Sequence, residues 1–340
     1  MTTSGVAVRN TDATVDRDAA LEQGLAPHDA ATAVADDVAY LRTAIVNVAF
    51  LGPRDAGDRR WVLVDTGMPG FADRIVRAAE RRFGAGASPA AIVLTHGHFD
   101  HVGTVRELAH RWDVPVYAHL LELPYLTGRS AYPPPDPTVG GGAMARLSGL
   151  FPKRPIDLGA RVLALPDDGA VPGAPGWRWL FTPGHTPGHV SLFRDDDRAL
   201  IAGDAFVTTK QESLSAALTQ RPELHGPPMY FTPDWERARA SVERLAALRP
   251  ELVVAGHGLP MHGSGLTSGL AELARDFDRV AVPRRGRYVG RPAVADASGV
   301  ISVPPPAPDP LPRILLGVGA AVAVGVLASR IRRHDGAPRA

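Results

Sequence analysis

The chain has 340 residues, of which 45% are hydrophobic, so it can bury one sizeable core with appendages around it. Its formal net charge of +1 lacks the basic surplus that marks nucleic-acid-binding domains, and we expect no nucleic-acid partner. Cysteine is absent, which excludes disulfides and every metal site that needs a thiolate ligand.

The chain begins with an unpatterned segment, which two predicted strands follow. Residues 1–35 are rich in Ala, Asp and Thr and lack the apolar core of a signal peptide, so we interpret them as a flexible N-terminal lead. Residues 40–50 predict one strand, which turns through residues 52–57 and pairs with a second strand at residues 61–65. This hairpin is expected to open the first sheet of a domain that starts at residue 36.

Two amphipathic helices are predicted on either side of a buried strand at residues 90–95. The first ends before Gly84 and the second follows residue 104. Their apolar faces carry Phe71, Ile75, Ala79 and Phe83 in the first helix, and Val105, Leu108, Ala109 and Trp112 in the second. Residues 114–118 predict a short strand, in which Pro115 favours an edge position, and we interpret His119 after it as structural.

Four ligand-type side chains follow the buried strand directly: His96, His98, Asp100 and His101. Imidazole nitrogen and carboxylate oxygen both bind zinc, and alternate residues of an extended segment point the same way, so His96 and His98 can hold one ion. Asp100 and His101 can then face a second position. A lone histidine is usually not a ligand, but four such side chains within six residues predict a metal site.

Three later candidates share one setting, an apolar run that ends at a glycine beside a His or Asp. They are His185, Asp204 and His257. A glycine at that position lets the backbone come close to an ion. His189 repeats the pattern of His185 four residues later, and the pattern alone does not decide which of the two binds metal.

Taken together, these motifs resemble those of the metallo-β-lactamase-fold hydrolases, in particular the glyoxalase II-like ones. The motifs are HGHFDH at residues 96–101, TPGHTPGH at 182–189, AGD at 202–204 and AGHG at 255–258. The resemblance covers roughly residues 37–265. It implies an α/β fold, an αββα sandwich of two packed sheets with helices outside and the metals at one edge.

The resemblance also implies a role for each candidate ligand. The positions that match the first metal's ligands are His96, His98 and His185, those that match the second's are Asp100, His101 and His257, and Asp204 matches the bridging carboxylate. The resemblance selects His185 over His189, which becomes structural or supporting. Asp65 matches a position that orients a ligand, although the residues alone also suit an Asx turn with Gly67.

A centre of this kind implies two divalent metal ions, with zinc favoured over iron or manganese. We therefore expect a hydrolase in which a metal-bound hydroxide, oriented by Asp100, cleaves a thioester, ester, lactone or amide bond of a small-molecule acyl substrate. Two other classes stay open, an iron-dependent sulfur dioxygenase on the same fold and a membrane-tethered non-catalytic binding protein. Lys210, Arg221 and Tyr230 are further candidates for substrate contact, although each also suits a surface or packing role.

Two further segments frame the centre. Residues 120–156 contain clusters of Gly and Pro, which predict an irregular insertion near the mouth of the site, where we expect substrate selection. Thr232 and Pro233 predict the start of a helix with a capping hydroxyl, and the strand that leads to His257 follows this helix.

The composition changes after residue 282, so the catalytic domain is expected to span residues 36–282. Residues 283–312 turn Arg-rich and then Pro-rich and predict a linker. Residues 313–333 carry an uncharged run with small residues at every fourth position, which favours a transmembrane helix over a helix packed on the domain.

The predicted helix implies membrane association with the catalytic domain in the cytoplasm, or otherwise a cytoplasmic protein. The missing signal peptide favours the cytoplasmic domain, whereas Arg330, Arg332 and Arg333 favour a cytoplasmic C-terminus, so the orientation stays open. A homodimer is also compatible with the sequence.

Overall fold

Two β-sheets form the centre of the molecule in the computed structural model, which describes residues 30–308. The first sheet has seven strands in chain order: β1 (Thr32–Ala35), β2 (Val38–Thr43), β3 (Val46–Leu51), β4 (Val62–Val64), β5 (Ala91–Val93), β6 (Val116–Ala118) and β7 (Val162–Ala164). The second has five strands: β8 (Trp177–Phe181), β9 (Val190–Arg194), β10 (Ala199–Gly203), β11 (Leu252–Ala255) and β12 (Met261–His262). Their spatial order is β12, β11, β10, β9, β8. A separate hairpin pairs β13 (Val294–Asp296) with β14 (Gly299–Ser302).

Helices connect the strands and cover the outer faces of the sheets. The described part of the chain contains α1 (Ala72–Phe83), α2 (Val105–Trp112), α3 (Leu123–Leu126), α4 (Ala143–Leu147), α5 (Leu214–Thr219), α6 (Trp235–Ala247), α7 (Ser264–Arg275) and α8 (Phe277–Val280). Short 3₁₀ turns lie at residues 120–122, 148–150, 159–161 and 229–231. α1 and α2 confirm the two helices predicted from their apolar faces.

Strand β3 shows why the layers stack as they do, because all six of its side chains are buried. Successive side chains of a strand point to opposite faces of the sheet. Val48 and Phe50 face the helices of the first sheet, whereas Ala49 and Leu51 face the second sheet. A strand that is apolar on both faces fits only a sheet that is covered on both sides.

The two outer layers complete the sandwich. Trp61 and Phe83 stack with ring centroids 4.4 Å apart and join the first sheet to α1. Leu200 of the second sheet packs in a cluster with Val242 of α6 and Leu266 of α7. The resulting order of helix, sheet, sheet and helix confirms the predicted α/β sandwich.

The N-terminal strands differ in detail from the prediction. Residues 40–50 are not one strand, because Ala44 adopts a φ of +63° and turns the chain, so that Thr43 pairs with Val46. The predicted antiparallel pairing with residues 61–65 is confirmed between β3 and β4. The first strand begins at Thr32, inside the segment interpreted as a flexible lead.

Two further local predictions need correction. Strand β6 is not at an edge, since it lies between β5 and β7, and Pro115 stands just before it with its carbonyl accepting the Ile92 N–H at 3.0 Å. The cap of α6 is Asp234, whose side chain accepts the Arg237 N–H at 3.0 Å. The Thr232 hydroxyl instead donates to the Pro228 carbonyl, so it does not cap the helix.

The insertion at residues 120–156 is irregular in part. It contains α3, α4 and two 3₁₀ turns, while residues 130–142 form neither helix nor strand. The Tyr132 hydroxyl accepts the Gly97 N–H at 2.9 Å, so this long segment contacts the chain that follows β5, and its many glycines and prolines agree with its irregular course.

The predicted linker at residues 283–312 is partly folded. Tyr288 is buried and its hydroxyl donates to the Pro134 carbonyl at 2.6 Å, and the hairpin of β13 and β14 bonds to the insertion through Val300 N–H and Ser130 Oγ. Contacts with the preceding fold therefore continue beyond residue 282. Within residues 30–308 no helix combines the length and apolarity that crossing a membrane requires. The transmembrane helix predicted at residues 313–333 lies outside the described residues and stays a prediction.

Candidate metal centre

The first four predicted ligands lie on a loop that follows β5. This first ligand loop, residues 96–101, is tightly folded, because the N–H groups of His101 and Val102 both bond to the His98 carbonyl. All four side chains are buried: His96, His98, Asp100 and His101. The buried strand predicted at residues 90–95 thus delivers them to one edge of the first sheet.

The other three predicted ligands follow strands of the second sheet. Strands β8, β10 and β11 run in the same direction, because β9 is antiparallel to both β8 and β10 and β10 is parallel to β11. Their carboxyl ends therefore meet at one edge. His185 lies on the second ligand loop, residues 182–189, after β8, while Asp204 follows β10 directly and His257 lies two residues after β11.

The structure brings all seven predicted ligands together. They form three groups in which the potential ligand atoms lie within 4.8 Å of one another: His96, His98 and His185; His96, His101 and Asp204; and Asp100, His101 and His257. Asp204 is central, with Oδ2 at 3.4 Å from His185 Nε2 and 3.2 Å from His257 Nε2, and Oδ1 at 3.6 Å from His101 Nε2.

Unpaired polar atoms in the centre fit a divalent cation. His96 Nε2, His101 Nε2 and Asp204 Oδ1 are buried and make no hydrogen bond to any described residue. Buried polar atoms are normally paired, so each of these lone pairs lacks a partner that a cation would supply. A set of imidazole nitrogens and carboxylate oxygens is the donor chemistry that zinc accepts.

Electrostatics also suit cation binding. Burial lowers the pKa of His96 and of His185 well below the usual range, aided by the neighbouring rings, and lowers the pKa of His98 to about 3. These three rings are therefore neutral near pH 7 and each retains a lone pair, which metal binding requires. Burial disfavours the charge on Asp204, but His257 and His101 outweigh it and hold the pKa of this carboxyl well below its usual range.

Asp65 orients one of the predicted ligands. Its Oδ2 accepts the Nδ1–H of His101 at 2.8 Å and the Thr95 hydroxyl at 2.7 Å, while Oδ1 accepts the Thr95 N–H at 2.8 Å. The Nε2 atom of His101 is thereby directed into the centre. The Asp65 carboxylate thus has the predicted supporting role and does not form an Asx turn with Gly67.

The other histidines within residues 30–308 lie outside the three groups. His189 Nδ1 bonds to the Thr182 hydroxyl at 2.9 Å. His119 accepts the Leu121 N–H at 3.2 Å and stacks on Phe181, which is the structural role predicted for it.

The three candidates for substrate contact differ in their burial and in their interactions. Arg221 is paired with Glu223 at 3.2 Å and its side chain is largely exposed. Tyr230 is buried, and its pKa is raised well above the usual range by burial and by Glu212, Asp100 and Asp204. Tyr230 therefore lies close to the carboxylates of the centre, whereas the half-buried side chain of Lys210 forms no hydrogen bond or ion pair with any residue in the range 30–308.

Two contacts of the centre were not predicted from the sequence. Glu122 is completely buried and bonds to both ligand loops, and Phe231 stacks on His98 with ring centroids 4.5 Å apart. A single Glu in an apolar stretch and a Phe in a loop form no local sequence pattern from which such contacts could be predicted. The two contacts depend on tertiary packing.

Comparisons with known proteins agree with this geometry. The sequence matches the Metallo-beta-lactamase superfamily over residues 42–257. The probable metallo-hydrolase YflN of Bacillus subtilis (strain 168) is 51% identical over 240 residues, which cover 71% of this chain and 90% of YflN. The probable metallo-hydrolase YybB of the same strain is 32% identical over 196 residues, 58% of this chain and 74% of YybB. A beta-lactamase domain protein from Burkholderia ambifaria shares the fold, with a TM-score of 0.50 at 23% identity over 74% of this chain and 77% of that one. The chain belongs to the metallo-beta-lactamase superfamily.

Proposed function

We propose that the protein is a dinuclear, zinc-dependent hydrolase that cleaves an acyl bond in a small-molecule substrate. The observation that carries this proposal is the convergence of seven buried nitrogen and oxygen ligands around Asp204, whose two oxygens lie within 3.6 Å of three imidazoles. Two similar proteins are named probable metallo-hydrolases, which supports the same reaction class here.

The seven side chains divide between two ions in this proposal. His96, His98 and His185 would hold one ion, Asp100, His101 and His257 would hold the other, and Asp204 would lie between the two. Support for the bridge comes from the position of Asp204, since Oδ2 lies near His185 on one side and His257 on the other. Support for the orientation of His257 comes from its Nδ1, which bonds to the Ile45 carbonyl at 2.8 Å.

Bound divalent ions supply Lewis acidity, which lowers the pKa of a water to near neutrality and polarises an acyl carbonyl. Asp100, buried beside His257, orients the attacking water through its carboxylate and accepts the proton that the water loses. The new bond joins the water oxygen to the acyl carbon, and the bond to sulfur, oxygen or nitrogen breaks. The leaving atom then takes the proton from Asp100.

Aromatic side chains beside His98 favour a substrate whose acyl group is apolar. Phe231 stacks on the His98 ring, Phe151 lies 6.0 Å from Phe231, and Phe99 lies 5.7 Å from Phe151, as measured between ring centroids. All three phenylalanines are partly exposed, so they form an apolar wall at the approach to the centre. Burying an acyl chain against this wall stabilises the bound substrate by about 25 cal/mol for each Å² of apolar surface removed from water.

Metal content and turnover, measured on the same preparation, test the proposal. Protein purified without added metal is analysed for its elements and assayed with thioesters, esters and lactones that carry short or long acyl groups. We expect about two zinc ions per chain, turnover that is lost on chelation and regained with zinc, and a preference for longer acyl groups. Undiminished turnover by protein stripped of metal would overturn the proposal. About one iron per chain with oxygen consumption would instead indicate the dioxygenase.

A further inference from the structure

A buried carboxylate outside the proposed ligand set ties the two ligand loops together. Glu122 ends the 3₁₀ turn that follows β6. Its Oε2 accepts the N–H of Gly97, in the first ligand loop, at 3.0 Å. Its Oε1 accepts the Thr186 hydroxyl and the Gly188 N–H, both in the second ligand loop, each at 2.8 Å. One side chain therefore bonds to both loops.

The insertion provides the fourth hydrogen bond. The Tyr132 hydroxyl donates to Glu122 Oε2 and accepts the Gly97 N–H at 2.9 Å. Its ring contacts the His98 ring edge-on, with centroids 4.7 Å apart. Each carboxylate oxygen thus accepts two hydrogen bonds, an arrangement that does not suit an amide, which has one donating end.

The loops approach Glu122 at a distance that only glycine allows. A Cβ atom at Gly188 would lie 2.7 Å from the backbone nitrogen of Glu122 and 2.9 Å from its Oε1, and a Cβ atom at Gly97 would lie 2.6 Å from the Tyr132 hydroxyl. Real Cβ atoms do not come so close to other heavy atoms. Gly188 therefore fits closely against Glu122, and Gly97 fits closely against the Tyr132 hydroxyl that bonds to Glu122.

We propose that Glu122 is a positioning residue of the metal centre, which fixes the separation of the two ligand loops. The first loop follows β5 of one sheet and the second follows β8 of the other, so the distance between them depends on contacts across the sandwich. His98 Nδ1 and His185 Nε2, one from each loop, lie 2.9 Å apart, and both belong to one of the three candidate ligand groups. This inference rests on the proposed metal centre.

The effect of Glu122 falls mainly on one of the two ions. The ion assigned to His96, His98 and His185 draws its ligands from both loops that Glu122 joins. The other ion has supports of its own, since Asp65 holds His101 and the Ile45 carbonyl holds His257. We therefore expect loss of Glu122 to weaken one zinc affinity selectively.

Glu122→Gln tests the inference, because glutamine keeps the size of the side chain and turns one end from an acceptor into a donor. The two zinc affinities are measured by competition with a chromophoric chelator, with no substrate present. We expect one affinity to fall by about 10–100-fold and the other to change by less than about threefold. Glu243→Gln, at an exposed position on α6, is the matched control and is expected to leave both affinities unchanged.

Other outcomes would overturn the inference. Unchanged affinities, or an equal loss of both, would show that Glu122 does not position one ligand set. Where Glu122→Gln does not fold, Thr186→Val removes a single donor at nearly constant shape, and a fall of about 3–10-fold in one affinity supports the inference whereas no change overturns it. Absence of zinc binding by the unmodified protein would instead contradict the proposed function, and the two failures are thus distinguishable.

Discussion

The imidazole of His189 holds the backbone of Asp204, because its Nε2 accepts the Asp204 N–H at 2.9 Å. The other ring nitrogen is bonded to Thr182, and burial lowers the pKa of His189 to about 3, so the ring is neutral. A Cβ atom at Gly203 would lie 2.6 Å from Nε2, which is why glycine stands there. Both nitrogens are thus engaged, and His189 supports the central carboxylate rather than offering a lone pair to a metal.

His189→Ala should therefore retain the metal and lose stability. The substitution leaves the buried Asp204 N–H without a partner, which costs about 1–3 kcal/mol in the free energy of unfolding. His185→Ala removes a proposed ligand and should lower the zinc content while the chain stays folded. Elemental analysis and urea unfolding of both variants check this. If His189→Ala lost as much zinc as His185→Ala, the assignment of the two histidines would be wrong.

Asp65→Asn should weaken metal binding at a backbone conformation that both residues can adopt. Asp65 has a φ of +59°, a conformation that asparagine also tolerates. The donating end of the amide must face either the Thr95 N–H or the His101 Nδ1–H, so asparagine cannot accept all three hydrogen bonds of the carboxylate, and we expect zinc affinity to fall by about 10–100-fold. Chelator competition measures the change. Asp55→Asn is the matched control, because Asp55 is exposed and has a φ of +58°, and it should leave the affinity unchanged.

Much of the centre was predictable because its signals are local. Four ligands lie within six residues after an apolar strand, and each of His185, Asp204 and His257 follows a glycine, so the motifs need no knowledge of the fold. The helices around the first sheet were predictable for a similar reason, since their apolar spacing follows the helical period. The family resemblance then supplied the partition between ions, which stays a prediction.

The features that were missed depend on contacts distant in sequence or on turns without the usual residues. The chain reverses at Ala44, which has no neighbouring glycine or proline to mark a turn. Glu122 acquires its partners from two loops, one of them more than sixty residues away. The segment after residue 282 is held by single contacts such as Tyr288 with Pro134, which a composition rich in Arg and Pro does not indicate.

Gly256→Ala should disrupt the centre more than the fold. A Cβ atom there would lie 2.1 Å from Asp204 Oδ1 and 2.7 Å from His101 Cε1. Relieving this overlap requires the two side chains to move, at a cost of about 1–3 kcal/mol, and we expect loss of zinc together with loss of turnover. Gly149→Ala is the control, since a Cβ atom at Gly149 meets no atom within 4 Å. Full zinc content in Gly256→Ala would show that the centre tolerates the displacement.

His119→Asn should flatten the dependence of stability on pH. His119 Nδ1 accepts the Leu121 N–H, and burial lowers the pKa of the ring from its ordinary value of 6.5. The folded protein thus binds this proton less readily than the unfolded chain, so the contribution of the neutral ring to stability is complete above pH 6.5 and is lost as the pH falls below it. Asparagine accepts the same N–H without titrating in this range.

The melting temperature of metal-free protein between pH 7.5 and 5.5 measures this effect. The other histidines are the same in His119→Asn and in the unmodified protein, so their titration contributes equally to both. We expect the fall across this range to be smaller in His119→Asn than in the unmodified protein by about 1–2 °C. The exposed His110→Asn serves as the control and should follow the unmodified protein. Because asparagine loses the stacking on Phe181, the absolute melting temperature should be lower, and the slope with pH is the quantity that decides. If the melting temperatures of His119→Asn and of the unmodified protein fell equally with pH, protonation of His119 would not be coupled to folding.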